Sequence, residues 1–187
     1  MPRCPWAERS EAEQHYHDTE WGRPQHDERV LFEFLMLEGA QAGLSWTTIL
    51  RKREGYRQVF DGFDIERMAV YSDDDLAARL TDPRIVRNHL KVAAARRNAQ
   101  AYLRLRDEIG GLGPYLWGQV EGKPVVNRWT AMSDVPARTP LSDRLSKDLR
   151  KRGFTFVGST IVYAYLQAVG VINDHLLSCP QHAECQG

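Results

Sequence analysis

Three observations predict an all-α fold: apolar residues recur at helical spacing through most of the chain, capping residues stand where those segments begin, and glycines stand where they end. Residues 28–42, ERVLFEFLMLEGAQA, are apolar densely enough for a mostly buried helix, with Leu31, Leu35 and Ala42 among the core positions. Gly43 supplies a stop, and Ser45 an N-cap for a helix through about Glu54. Ser72 followed by Asp73, Asp74 and Asp75 marks a third start, with acids at the positive end of the helix dipole. Residues 88–108 form a long amphipathic helix in which Leu90, Ala94, Ala101 and Leu105 share a face, and GGLGPY at 110–115 breaks it. The only extended stretch expected is VEGKPVVNRW, 120–129, with a turn at Gly-Lys-Pro. Ser142 or Asp143 is a candidate cap for a helix to Arg152, and a last helix runs from Ser159 to about Val169, where Gly170 ends it. There is no repeat, low-complexity tract or interdomain linker.

With 187 residues, 42% of them hydrophobic, the chain has the material for one cored domain. No apolar run approaches the roughly 20 residues of a membrane span, and the N-terminus has no hydrophobic signal region, so a cytoplasmic protein without a membrane partner is expected. Three cysteines argue against a disulfide framework and for a metal or free thiols. The net charge is zero, yet residues 1–75 hold 9 basic and 16 acidic side chains and residues 76–187 hold 16 and 9. Such segregation offers a polyanion one attractive face, although a pair of solvated helix faces accounts for it equally simply.

Cys4 and His17 lie near one end, and His175 and Cys179 near the other. The latter pair is H-x3-C, and on a helix residues four apart share a face, so both could bind one ion. Two thiolates and two imidazoles make a closed, structural zinc site rather than a catalytic one, and closure would tether two ends prone to fray. His182 and Cys185 are spare candidates.

Glu38 interrupts the run FEFLML on the helical face of Leu31, Leu35 and Ala42, and acids are seldom buried unless paired or functional. Trp46 follows within eight residues, and Trp6, Tyr16 and Trp21 cluster upstream. Aromatic faces around one carboxylate suit a flat, cationic heterocycle. A partly exposed glutamate at a helix end, with the aromatics in the core, is the plainer alternative. At 142–170 two helices flank a glycine-bounded turn, Gly153 to Gly158, with Arg144, Lys147, Arg150, Lys151 and Arg152 on the first. Turn amides beside a helix N-terminus hold phosphate, and the cations add sequence-independent attraction to DNA; an ordinary helical hairpin with a basic face would read the same.

Taken together, R-C-P-W at 3–6, Y-H-D-T-E-W-G at 16–22, L-E-G-A-Q-A-G-L-S-W at 37–46, K-R-G-F-T-F-V-G at 151–158 and G-V-I-N-D-H at 170–175 resemble the type I DNA-3-methyladenine glycosylases of bacteria, a divergent branch of the helix-hairpin-helix glycosylases. The resemblance implies an all-α fold of two small lobes around a base pocket, one zinc held by Cys4, His17, His175 and Cys179, and excision of 3-methyladenine from alkylated double-stranded DNA. It also implies base contacts from Glu38 and Tyr16 by hydrogen bonding and from Trp46, Trp21 and Trp6 by stacking or lining. Two departures stand out: relatives commonly have Gln at the position of Ala40 and an aromatic at that of Glu13.

A cationic base is already a good leaving group, so such an enzyme needs to flip the nucleotide, hold the base and admit water more than it needs a strong acid. The hairpin from Gly153 to Gly158, with Lys151, would grip the backbone, while Leu44 beside Gly43 fills the gap in the duplex. Asp174 is given no catalytic role. A monomer is the simplest state for a scanning enzyme. Two rivals remain: a zinc-stabilised DNA-binding module without chemistry, and a broader glycosylase that also takes 7-methylguanine, against which Glu38 argues because guanine offers a carbonyl where adenine offers an amine.

Overall fold

The computed structural model describes residues 2–186 and is helical nearly throughout. A 3-10 turn at Pro5–Arg9 leads into α1 (Glu11–Thr19), capped by Ser10, whose Oγ accepts from the Glu13 N–H at 3.2 Å. Helix α2 (Glu28–Gln41) is the central rod, with every residue from Leu31 to Ala40 buried. Gly43, at φ +78°, then turns the chain. Ser45 caps α3 (Trp46–Val59), which runs past its expected end near Glu54. Gly55 does not stop it because another segment needs the space: a Cβ there would stand 2.5 Å from the Arg84 carbonyl oxygen.

A short α4 (Ile65–Ala69) and α5 (Asp73–Leu80) follow, the latter with the capping box between Ser72 and Asp75 that the sequence announced. Helix α6 (His89–Ile109) ends at left-handed Gly110. Ala94, Ala101 and Leu105 are buried as expected, but Leu90 is 68% exposed, while its neighbours Lys91 and Val92 are the residues of that turn that face α2. Where a break was expected after Gly111, α7 (Leu112–Trp117) forms instead. Its first amides are capped from outside: the Glu28 carboxylate accepts from the Leu112 and Gly113 N–H groups at 2.8 and 2.6 Å.

The extended stretch contributes β1 (Val125–Val126), paired in parallel with β2 (Ile172–Asn173), and this two-residue ladder leaves the class all-α. Helix α8 (Pro140–Lys151) begins earlier than expected: Thr139 is its cap, and Ser142 is the third-position member of that capping box. Helix α9 (Ser159–Ala168) ends before Gly170, where φ is +73° and a Cβ would lie 2.4 Å from the backbone of Arg23 and Pro24. The last helix is α10 (Gln181–Glu184). Helix α2 packs on α3, α6, α7 and α9, so one hydrophobic cluster runs through the chain. Among the described residues, no helix is long and apolar enough to cross a membrane.

Candidate active site

The two ends of the chain meet at four buried side chains, and the donor atoms of Cys4, His17, His175 and Cys179 all lie within 4.8 Å of one another. His17 Nε2 is 3.5 Å from Cys179 Sγ, and His175 Nδ1 is 3.7 Å from the Sγ of both Cys4 and Cys179. Zinc bonds of about 2.3 Å to sulfur and about 2.0–2.1 Å to nitrogen, set tetrahedrally, require sulfur–nitrogen edges of roughly 3.6 Å, so the donor set fits that ion. The rings are oriented from behind. His175 Nε2 donates to the Trp21 carbonyl at 3.0 Å, which turns the Nδ1 lone pair toward the sulfurs. His17 Nδ1 faces Asp18 Oδ1 at 2.8 Å, and Arg3 grips the same carboxylate. Burial pushes the His175 imidazole down to about 3 and the Cys4 thiol up to about 12, so the imidazole is neutral and the thiol needs a cation to ionise. One sequence expectation is corrected: His175 and Cys179 lie on an irregular turn after β2, not on a helix, and the turn brings both donors inward all the same.

A cavity of about 320 Å³ adjoins this cluster. Glu38, Tyr16, Trp46, Trp21 and Trp6 all line it, as the sequence reading required. The Trp46 ring lies 5.4 Å from Tyr16, and Trp6 stands edge-on to Trp21 at 5.0 Å. Trp21 also stacks on His17 and meets His175 edge-on, and Trp6 meets His17 edge-on at 5.5 Å, so these two indoles stand between the cavity and the Cys/His cluster. Burial alone pushes the Glu38 carboxyl up to about 8; no cation or donor pulls it back. Burial, and then the Glu38 charge, hold the Tyr16 phenol well above its usual range, so it remains a neutral O–H. Tyr16 Oη, Trp46 Nε1 and Glu13 Oε2 are buried without partners, and all three residues face the cavity. Buried polar atoms are seldom left unpaired, and several at one cavity indicate a polar guest.

Several lining residues were not singled out from sequence. Thr160, Tyr163, Ala164 and Gln167 follow helical spacing on α9, a pattern that was legible but looked like core. Met132 and Val135 to Ala137 come from a connection without periodicity, which gave no signal. Asp174 also lines the cavity, yet Asn127, Trp129, Tyr163 and Gln167 all donate to its carboxylate. Its four lone-pair sites are occupied, which leaves none to accept a proton from water or a base. Asp174 ties the 125–129 arm to α9 through these bonds.

The turn between α8 and α9 is held from below. Asn98 accepts from the Thr155 N–H at 2.8 Å and donates to the Thr155 carbonyl at 3.1 Å. Phe156, at φ +57°, packs on Gly39, where a Cβ would come within 3.0 Å of the Phe156 Cβ. The turn is thus fixed to the residue next to Glu38. Gly153 adopts φ +96° and Gly158 is the N-cap of α9. Arg144, Lys147, Arg150 and Lys151 are exposed, but Arg152 is not free: it pairs with Asp148 and Glu108, at 2.7 Å each. Leu44 is 39% exposed on the α2–α3 turn, three residues past the cavity-lining Gln41.

An aromatic cavity with one high-pKa acid and two unfilled donors defines a receptor for a flat, hydrogen-bonding heterocycle. A family model described as methyladenine glycosylase matches residues 6–182, and the chain belongs to that family. It is 43% identical over 179 residues to the Escherichia coli (strain K12) protein named DNA-3-methyladenine glycosylase 1, covering 96% of each. The Haemophilus influenzae DNA-3-methyladenine glycosylase is 42% identical over 178 residues, 95% of this chain and 96% of its own. Among solved structures, the Staphylococcus aureus 3-methyladenine DNA glycosylase I described for its recognition of 3-methyladenine matches with a TM-score of 0.93 at 36% identity, covering 96% of both chains.

Proposed function

We infer that the protein is a DNA-3-methyladenine glycosylase, a base excision repair enzyme that hydrolyses the bond between the damaged base and deoxyribose. The observation that carries this reading is Glu38, buried and unpaired in an aromatic cavity that also holds the unfilled donors of Tyr16 and Trp46. The flipped base lies against Trp46, with Tyr16 and Glu38 on its polar edge and Trp21 and Trp6 as walls. The base is a cation, so Glu38 near it shifts toward carboxylate, offsets the charge and accepts from the 6-amino group. As the C1′–N9 bond breaks, its electron pair leaves with the base and cancels the positive charge. The water oxygen bonds to C1′, and its proton passes to solvent. Neutral adenine carries no such charge and leaves poorly.

The helix-hairpin-helix reading of α8, α9 and their turn is supported by the open amides at Gly158 and by the exposed Lys151, Arg150 and Lys147, which attract backbone phosphate. With Gly153 and Gly43 permitting the two turns, Leu44 is the wedge that fills the vacated base step in double-stranded alkylated DNA. Two small lobes around the pocket, a monomer and a cytoplasmic place of action complete the reading. Zinc held by Cys4, His17, His175 and Cys179 would supply structural closure of the chain ends. Arg3, Asp18 and the Trp21 carbonyl orient its ligands.

The test is base release from DNA treated with a methylating agent, chromatographed against 3-methyladenine, with Glu38→Gln alongside. Release by the parent and its loss in the variant are expected. A folded parent that binds DNA yet frees no base would overturn the enzyme in favour of a binding module.

A further inference from the structure

Helix α2 ends where the chain turns toward Leu44, and its last carbonyls need donors that its own last turn lacks, since no basic residue stands there. The Gly39 and Gln41 carbonyls accept from the Ala42 and Leu44 amides of the turn itself. The Ala40 and Ala42 carbonyls accept from Lys91 Nζ, which reaches in from α6 at 2.8 and 2.7 Å. Lys91 is half-buried, and both of its side-chain hydrogen bonds go to these carbonyls, so its charge meets the negative end of the α2 dipole. Little else fixes the tip. A Cβ on Gly43 would meet nothing within 4 Å, and Leu44 beyond it is 39% exposed. Among the described residues, both hydrogen bonds that reach residues 40–44 from another element come from Lys91.

Asn98, which fixes the hairpin turn through Thr155, stands seven residues after Lys91 on the same helix. Seven residues are two turns, so the two side chains leave one face of α6 about 10 Å apart along its axis. Gly39, Ala40, Lys91, Asn98 and Phe156 all border one small cavity at this junction. One face of α6 therefore holds both the turn that carries Leu44 and the turn between α8 and α9.

We propose that Lys91 is a positioning residue for base extrusion: by holding the Ala40 and Ala42 carbonyls it sets Leu44 at a fixed distance from the phosphate-gripping turn, so that the wedge enters the duplex at the step whose nucleotide enters the cavity. The proposal rests on the glycosylase reading above, in which Leu44 is the wedge. Lys91 itself touches neither base nor phosphate and acts through Leu44. Filling the gap offsets the cost of unstacking, and a tip that must first be ordered loses part of that gain.

Base release from methylated duplex, and from the same DNA single-stranded, tests this in the parent, Lys91→Met, Lys91→Gln, Lys91→Arg, Leu44→Ala and the Lys91→Met, Leu44→Ala double variant. Methionine keeps the stem against Met36 and Val92, and water reaches the freed carbonyls at this half-exposed site, so the fold is kept. Lys91→Met and Lys91→Gln are expected to lower release from duplex relative to single strand by about tenfold or more, and Lys91→Arg, which keeps the charge and the donors, to restore it. The double variant should be no slower on duplex than Leu44→Ala alone. The slope of log K against log salt for duplex binding should match the parent's, whereas loss of a phosphate contact would reduce it by about 1. A further readout needs no chemistry: 2-aminopurine beside a stable abasic-site analogue in duplex changes fluorescence when the wedge enters, and Lys91→Met and Leu44→Ala should lose that change alike. Equal slowing on both DNAs, additive losses in the double variant, or a reduced salt slope would overturn the role of Lys91. A parent that frees no base yet perturbs the probe removes the glycosylase reading and leaves the probe to decide Lys91. A parent that does not perturb the probe removes the wedge and the role of Lys91 with it.

Discussion

Replacing Glu38 with glutamine keeps the side chain's shape and removes its proton equilibrium, so the variant isolates what the buried carboxyl does to stability. In the folded chain burial lifts that carboxyl from 4.5 to about 8. The folded state therefore keeps a proton that the unfolded chain gives up between those values. Unfolding releases that proton, so parent stability is undiminished below pH 4.5, falls as pH rises toward 8, and is flat above. At 1.36 kcal/mol per pH unit, the penalty is about 4 kcal/mol at pH 7.5 and approaches its full value of about 5 kcal/mol above pH 8. Glutamine is neutral in both states and escapes it. Urea denaturation from pH 5 to 8 should show Glu38→Gln gaining on the parent by this amount, or roughly 8–16 °C in Tm at pH 7.5 for a chain of this size. The other titrating groups are common to both proteins and cancel in the difference. The same substitution should abolish base release, so activity is lost while stability is gained. Parallel pH profiles, or a variant less stable than the parent at pH 8, would refute a carboxyl buried without a partner.

The zinc site predicts one ion per chain by elemental analysis. Its removal by a strong chelator should lower Tm by roughly 10 °C or more, and Cys179→Ser should bind less than one equivalent. Asn98→Ala strips the hairpin turn of a buried acceptor and donor, and should cost about 1–3 kcal/mol, read as a shift in urea midpoint at constant slope. Lys151→Ala should weaken DNA binding alike on all sequences and reduce the slope of log K against log salt by about 1, whereas an unchanged slope would remove Lys151 from the interface. Leu44→Ala should slow base release from duplex far more than from single-stranded methylated DNA. Equal slowing on both would discard the wedge.

Much of this protein was legible in its sequence because helix starts and stops are local. Asp27, Ser45 and Ser72 each cap a helix through an amide three residues on, and Gly43, Gly110 and Gly170 each adopt the positive φ that ends one. Glu38 and the aromatics were found because an acid in an apolar run is chemically conspicuous. The misreadings fall where distant contacts override local signals. A glycine passes through α3 because Arg84 needs its space, and α7 forms in a glycine-rich stretch because Glu28 caps it. The sequence by itself determined α2, α3, α5, α6, α8 and α9, the four Cys and His donors and the acid of the pocket. Only the tertiary structure brought Cys4 to His175 across 171 positions and His17 to Cys179 across 162, saturated Asp174, and made Glu38 a weak acid. The physical reason is range: capping and turn formation act within about one helical turn, whereas burial and the convergence of donors exist only once the whole core has closed.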